Sequence, residues 1–195
     1  MSALYLRGLK QGDFQLTATG VATAALFFFL SQAKPVSKLS IQKPPSSVFC
    51  PSVISSIGLQ FLVHLVCLLC TLWLCDANAP VGDSSIIPDG RFTPNVFNTS
   101  VFLLSTIMQV NNFFVNYRGH PFTLSIRENK SLWVSLLSVY AVVFICCTET
   151  FEPLNDLLQL FPLPNPEFRS LLLCILAVDF SACWVVENFC QKLEK

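Results

Sequence analysis

The stretch VFLLSTIMQVNNFFVNYRGHPFTLSIRENKSL at 101–132 decides the fold, because an apolar run closes on a row of amides and then passes into a basic loop. At about 3.6 residues per turn, Ser105, Gln109, Asn112 and Asn116 fall on one stripe of a helix whose other faces carry Phe, Val, Leu and Ile. At 1.5 Å per residue the stripe covers roughly 16 Å. Such a helix suits lipid or packed neighbours better than water. The amides are therefore expected to face the bundle interior, against protein or a cavity.

Composition agrees with a membrane protein. The 195 residues are 53% hydrophobic and 12% charged, against roughly 25% charged in soluble domains. Twelve Lys+Arg balance twelve Asp+Glu, so nothing in the net charge points to nucleic acid. Of the nine cysteines, Cys67, Cys70, Cys146, Cys147, Cys174, Cys183 and Cys190 sit in apolar runs, where cysteine acts as a small hydrophobe. Cys67 and Cys70 have CxxC spacing, but no second pair lies in a polar setting, so no metal is expected there.

Spans of roughly 20 apolar residues are predicted at about 14–33, 53–75, 96–115, 132–148 and 168–189, an all-α polytopic bundle of about five transmembrane helices. The connections alternate in charge. The first holds Lys34, Lys38 and Lys43 without an acid, and the third holds Arg118, Arg127 and Lys130 against Glu128. The second holds Asp76, Asp83 and Asp89 against Arg91, and the fourth holds Glu149, Glu152, Asp156 and Glu167. By the positive-inside rule the first and third connections and the C-terminal tail are cytosolic, and the N-terminus is lumenal. Arg7 and Lys10 then lie on the unfavoured side, which makes sense if this segment connects two helices of a longer polypeptide. No signal peptide is read at the N-terminus.

Further residues stand out. Ala18, Gly20, Ala22, Ala24 and Ala25 give the first span a small-residue surface, so it is expected to pack inside a bundle. Prolines 35, 44, 45 and 51 should keep the first connection from continuing as helix. Gln60 and His64 share a helical face, as an interhelical hydrogen bond or as a proton or ligand site. Asn98-Thr99-Ser100 is a sequon on the lumenal side but abuts a span; Asn129-Lys130-Ser131 falls in the cytosol. Glu149 and Glu152, just outside the fourth span, offer the pairing of a carboxylate ion site but read as a solvated face. Asp179 lies near the middle of the last span, where an ionised carboxylate costs about 2.5–3.5 kcal/mol. It is either a structural polar clamp or a transport group, with Gln60, His64 and the amides of the third span as candidate partners. There is no phosphate-binding glycine loop, Asp-Lys-Thr-Gly-Thr motif or aqueous Ser/His/Asp set, so no catalytic residue is assigned.

Several segments together resemble one family, the type V subfamily A P-type ATPases of the endoplasmic reticulum. They are LYLRGLKQGD at 4–13, FFFLSQAKPVSKLS at 27–40, LQFLVHL at 59–65, the segment at 98–132 with Asn116-Tyr117-Arg118-Gly119, Pro121-Phe122 and Glu128-Asn129-Lys130, and LAVDF around Asp179. Phe114 stands where the family pattern leads one to expect a small residue. The resemblance implies the sixth to tenth core helices, a C-terminal transmembrane portion of an ATPase that extracts mistargeted transmembrane helices from the endoplasmic reticulum membrane. It implies ATP and Mg2+ for the complete protein but no cofactor in this portion. The implied partners are the bilayer, the remaining helices and cytosolic domains, and transmembrane helix substrates. Gln60, His64, Ser105, Gln109, Asn112, Asn116 and Asp179 are the candidate intramembrane path residues. A manganese-transporting membrane domain and a stand-alone regulatory membrane protein are the alternatives.

Overall fold

The computed structural model describes residues 10–37, 47, 49–78 and 92–193. They form helices α1 (Asp13–Ser31), α2 (Pro51–Asn78), α3 (Val96–Val115), α4 (Lys130–Thr148), the short α5 (Glu152–Leu157) and α6 (Pro166–Leu193). No strand occurs among the described residues, only an isolated bridge between Pro35 and Thr123. Asparagines start three of these helices. The side chains of Asn95, Asn129 and Asn165 accept from the backbone N–H groups of Asn98, Leu132 and Phe168, each cap stabilising by about 1 kcal/mol. Asn129 also donates to the Phe29 carbonyl at 2.9 Å, tying the start of α4 to the end of α1.

Four of the six helices, α1, α2, α4 and α6, are long and apolar enough to cross a membrane. The third predicted span forms as a helix over Val96–Val115 but is not among those four, because its buried positions include Asn98, Thr99, Ser100, Thr106 and Asn111. Its position explains this composition: α3 packs against α1, α2, α4 and α6 and lies at the centre of the bundle. Leu103, Leu104 and Ile107 of α3 join Leu74 of α2, Val143 of α4 and Leu172 of α6 in the main core. Leu26 of α1 meets Val110, Leu132 and Leu136 in a second cluster. Phe114 packs edge-on to Phe180, with ring centroids 5.2 Å apart, and also meets Trp133.

The connections sort to opposite ends. Val36 N–H donates to the Phe122 carbonyl at 3.3 Å and Leu124 N–H to the Lys34 carbonyl at 3.0 Å, so the first and third connections touch. At the other end Asn98 donates to the Lys10 carbonyl, Phe161 N–H donates to the Thr99 hydroxyl at 2.8 Å, and Gln15 reaches the Gln159 carbonyl at 3.4 Å. Lys38, Lys43, Asp83, Asp89, Arg91, Pro44, Pro45 and Arg7 lie outside the described residues.

The structure bears on three local expectations. The small-residue surface of α1 divides: Ala18, Ala22 and Ala25 are half-buried, with Ala18 packed against the main core, whereas Gly20 and Ala24 are exposed and a Cβ on Gly20 would meet nothing within 4 Å. α3 and α4 supply its substantial helix contacts among the described residues. Glu149 is not a solvated carboxylate, since it accepts from Leu163 N–H at 2.6 Å and pairs with Arg169, whereas Glu152 is exposed. The sequon at Asn98 is fully buried with its amide engaged, so the folded chain offers no acceptor there.

Candidate functional site

α2 and α6 run antiparallel and share the longest contact in the bundle. On α2 the buried positions Ser56, Gln60, Cys67, Thr71 and Leu74 recur at steps of three, four and seven. On α6 Leu172, Leu176, Asp179, Cys183, Glu187 and Cys190 do the same at steps of three and four. Both are the spacing of one helical face, and α3 closes over the seam. Polar side chains fall on it in two clusters.

The first centres on Asp179, which is fully buried. His64 Nδ1 lies 2.7 Å from Asp179 Oδ1, and Asn111 Nδ2 donates to Oδ2 at 2.7 Å. Tyr140 of α4 in turn donates to Asn111 Oδ1 at 2.6 Å. Four helices thus converge on one carboxylate, and both of its oxygens are satisfied. The cost of placing it in hydrocarbon is offset by bonds that could not form unless these helices packed as they do. Cys183, one turn beyond Asp179, brings its Sγ to 3.9 Å from both ring nitrogens of His64.

The second cluster lies nearer the loop end. Glu187 is buried, accepting from the Ser56 hydroxyl, from Gln60 at 3.2 Å and from Gln191 at 2.9 Å, with Arg118 Nη2 at 3.9 Å. Gln60 and Asn116 exchange amide hydrogen bonds at 3.0 and 3.1 Å, joining α2 to the end of α3. A cavity of about 480 Å³ opens beside this cluster, bounded by Val53, Ile57, Phe61, His64, Asn112 and Arg118 among others. A second cavity of about 490 Å³, bounded by Thr23, Phe27, Leu30, Gln109 and Phe113 among others, shares Asn112, Asn116 and Arg118 with the first. α1 and α2 have no substantial contact with each other, so the two cavities form a groove between them with α3 as its floor.

The predicted stripe is that floor. Gln109, Asn112 and Asn116 are exposed and border the cavities, one of the two surroundings expected for them. Gln109 accepts from the Thr23 hydroxyl at 2.9 Å, and Ser105 is half-buried and bonds its own Phe102 carbonyl at 3.1 Å. The packed polar contact of α3 comes instead from Asn111. Adjacent residues on a helix point about 100° apart, so of two neighbouring asparagines one faces the groove and the other the seam. That geometry was a usable signal for Asn111. Glu187 also carried one, lying two helical steps of four from Asp179 on the same face; Tyr140 carried none.

No family model matches the chain. Over 193 residues it is 35% identical to the endoplasmic reticulum transmembrane helix translocase of Aspergillus fumigatus, a match covering 99% of this chain and 15% of that protein. The translocase of the same name in Saccharomyces cerevisiae is 34% identical over 192 residues, covering 97% of this chain and 15% of that protein. A probable manganese-transporting ATPase of Arabidopsis thaliana is 40% identical over 188 residues, covering 96% of this chain and 16% of that protein. The chain therefore spans about 15–16% of the length of these relatives.

Proposed function

The chain belongs to the P-type ATPase family of the endoplasmic reticulum transmembrane helix translocases, as a multi-pass protein of that membrane, and on this premise we propose that it supplies part of the path by which a complete transporter extracts mistargeted transmembrane helices. ATP and Mg2+ act on parts of the complete polypeptide other than these helices, and this portion carries no catalytic residue of its own.

The observation that carries the reading is the groove between α1 and α2. Its floor is the amide row Gln109, Asn112 and Asn116, and its walls include Phe27, Leu30, Ile57 and Phe61. A polar group on a transmembrane helix is costly where lipid cannot satisfy it. An amide floor inside apolar walls offers such a helix hydrogen bonds that lipid does not. Asp179 and its partners act beneath the groove as the clamp that holds α2, α3 and α6 together.

The manganese reading rests on the Arabidopsis relative's name and on the depth of Asp179. Manganese favours oxygen-rich ligand sets, whereas the nearest groups to Asp179 are an imidazole, an amide and a thiol. The test is photo-crosslinking in the complete polypeptide, with the crosslinker at Gln109 or Asn112 and a mistargeted helix as substrate. Crosslinks trapped before ATP addition and lost after it support the reading. If a probe at exposed Val134 on α4 crosslinks equally, the groove has no special part in helix handling.

A further inference from the structure

His64, Asp179 and Cys183 do something a hydrogen-bonded clamp does not require. Their donor atoms, an imidazole nitrogen, a carboxylate oxygen and a thiol sulfur, all lie within 4.8 Å of one another. A thiol is a weak hydrogen-bonding group, so Cys183 beside a His–Asp pair adds little to a clamp. It does complete a set of ligands for a borderline-soft metal ion. We propose that His64, Asp179 and Cys183 form a binding site for a zinc-class divalent cation, which staples α2 to α6 independently of any helix being transported.

The dimensions suit this. Zinc bonds of about 2.0–2.3 Å to N, O and S in a tetrahedron place ligand atoms roughly 3.3–3.6 Å apart. The 2.7 Å His64–Asp179 separation has to open and the 3.9 Å Cys183–His64 separations have to close, each by a fraction of an ångström, and the Cys183–Asp179 edge, within 4.8 Å, has to close by up to about 1.3 Å. Because the sulfur is equidistant from both ring nitrogens, the imidazole must also turn about its Cβ–Cγ bond to aim a lone pair at the ion. It has room to do so, since the His64 side chain borders the 480 Å³ cavity, which also provides an entry path and space for a water ligand. The carboxylate is already oriented by Asn111, itself held by Tyr140, the outer support that metal-binding carboxylates use. When the ion binds, the thiol proton leaves to water and the sulfur–metal bond replaces the S–H bond. A divalent ion with one carboxylate and one thiolate is neutral, which suits a low-dielectric seam. The donor set selects against manganese, which thiolate ligands do not favour.

The experiment is a Co2+ titration of the complete polypeptide, chelator-washed and held in lipid nanodiscs. One Co2+ per chain should bind with a sulfur-to-cobalt charge-transfer absorption. Zinc should displace it and excess Mn2+ should not. Cys183→Ser should abolish that absorption and weaken Co2+ binding by more than about tenfold, while Cys174→Ser, which changes an exposed thiol on the same helix, should leave both unchanged. X-ray absorption on the zinc-loaded wild type needs no variant to fold, and should show sulfur together with nitrogen or oxygen neighbours. An absorption unchanged in Cys183→Ser, displacement by Mn2+, or an all-sulfur or sulfur-free zinc shell would each overturn the proposal.

Discussion

Replacing Asn111 with leucine should destabilise the bundle by about 2–3 kcal/mol, whereas the same change at neighbouring Asn112 should cost less than about 0.5 kcal/mol. Asn111 is fully buried, donates to Asp179 Oδ2 at 2.7 Å and accepts from the Tyr140 hydroxyl at 2.6 Å. Leucine removes both bonds and leaves a carboxylate oxygen and a hydroxyl without partners. Interhelical hydrogen bonds in membranes are worth about 0.6 kcal/mol on average and up to about 1.7, so two of them span about 1.2–3.4 kcal/mol. The full burial of Asn111 and Asp179, which leaves the orphaned groups no access to water, puts Asn111 in the upper half of that range. Asn112 is exposed, and its side-chain oxygen has only a 3.4 Å contact from Asn116. The assay is reversible unfolding in bicelles, followed in the complete polypeptide with the unfolded state trapped by a binding protein. At about 1.36 kcal/mol per decade, the Asn111 variant should shift the folding equilibrium by roughly 30- to 150-fold. Equal losses at the two positions would refute the division of α3 into a packed face and a groove face.

Asp179→Asn keeps hydrogen-bonding capacity toward His64 and Asn111, so in chelator-washed, metal-free protein the variant should fold normally and retain helix extraction; normal folding with lost extraction under those conditions would make the carboxylate a transport group instead of a clamp. Single cysteines at Ser37 and Thr150, in a cysteine-depleted background, should be labelled from opposite sides of the membrane, with Ser37 reached from the cytosol; labelling of both from one side would break the alternating arrangement. In the third connection Glu128 accepts from the Ser125 hydroxyl and N–H, each at 2.7 Å, and these bonds hold its carboxyl below the usual carboxylate range. A lowered folded-state pKa means the turn is favoured above the unfolded value of roughly 4.3 and loses that support as pH falls through the folded value. Protection of the Ser125 amide from hydrogen exchange, corrected for intrinsic rates, should therefore fall at acid pH, and a pH-independent protection would contradict the assignment.

The sequence by itself determined the helices, and its alternating connections sort to opposite ends of the bundle. Apolar runs and prolines act on the residues beside them, so the span at 96–115 could be read to its ends and Asp179 marked as costly wherever it went. The alternation of basic and acidic connections is likewise a property of single segments. Which faces meet is not. Gln60 and His64 share a face of α2, yet one is engaged by Glu187 and Asn116 and the other by Asp179, and no local rule separates those outcomes. Asn111 and Asn112 are the same residue in the same helix, and only the position of α6 makes one a buried partner of a carboxylate and the other the floor of a groove. The small-residue surface of α1 shows the limit from the other side, since Ala18 packs against the core while Gly20 and Ala24 stay exposed, and spacing alone does not say which small residues a neighbour covers. Pairing across helices depends on the rotation and offset of every helix at once, and that information appears only when the bundle is assembled.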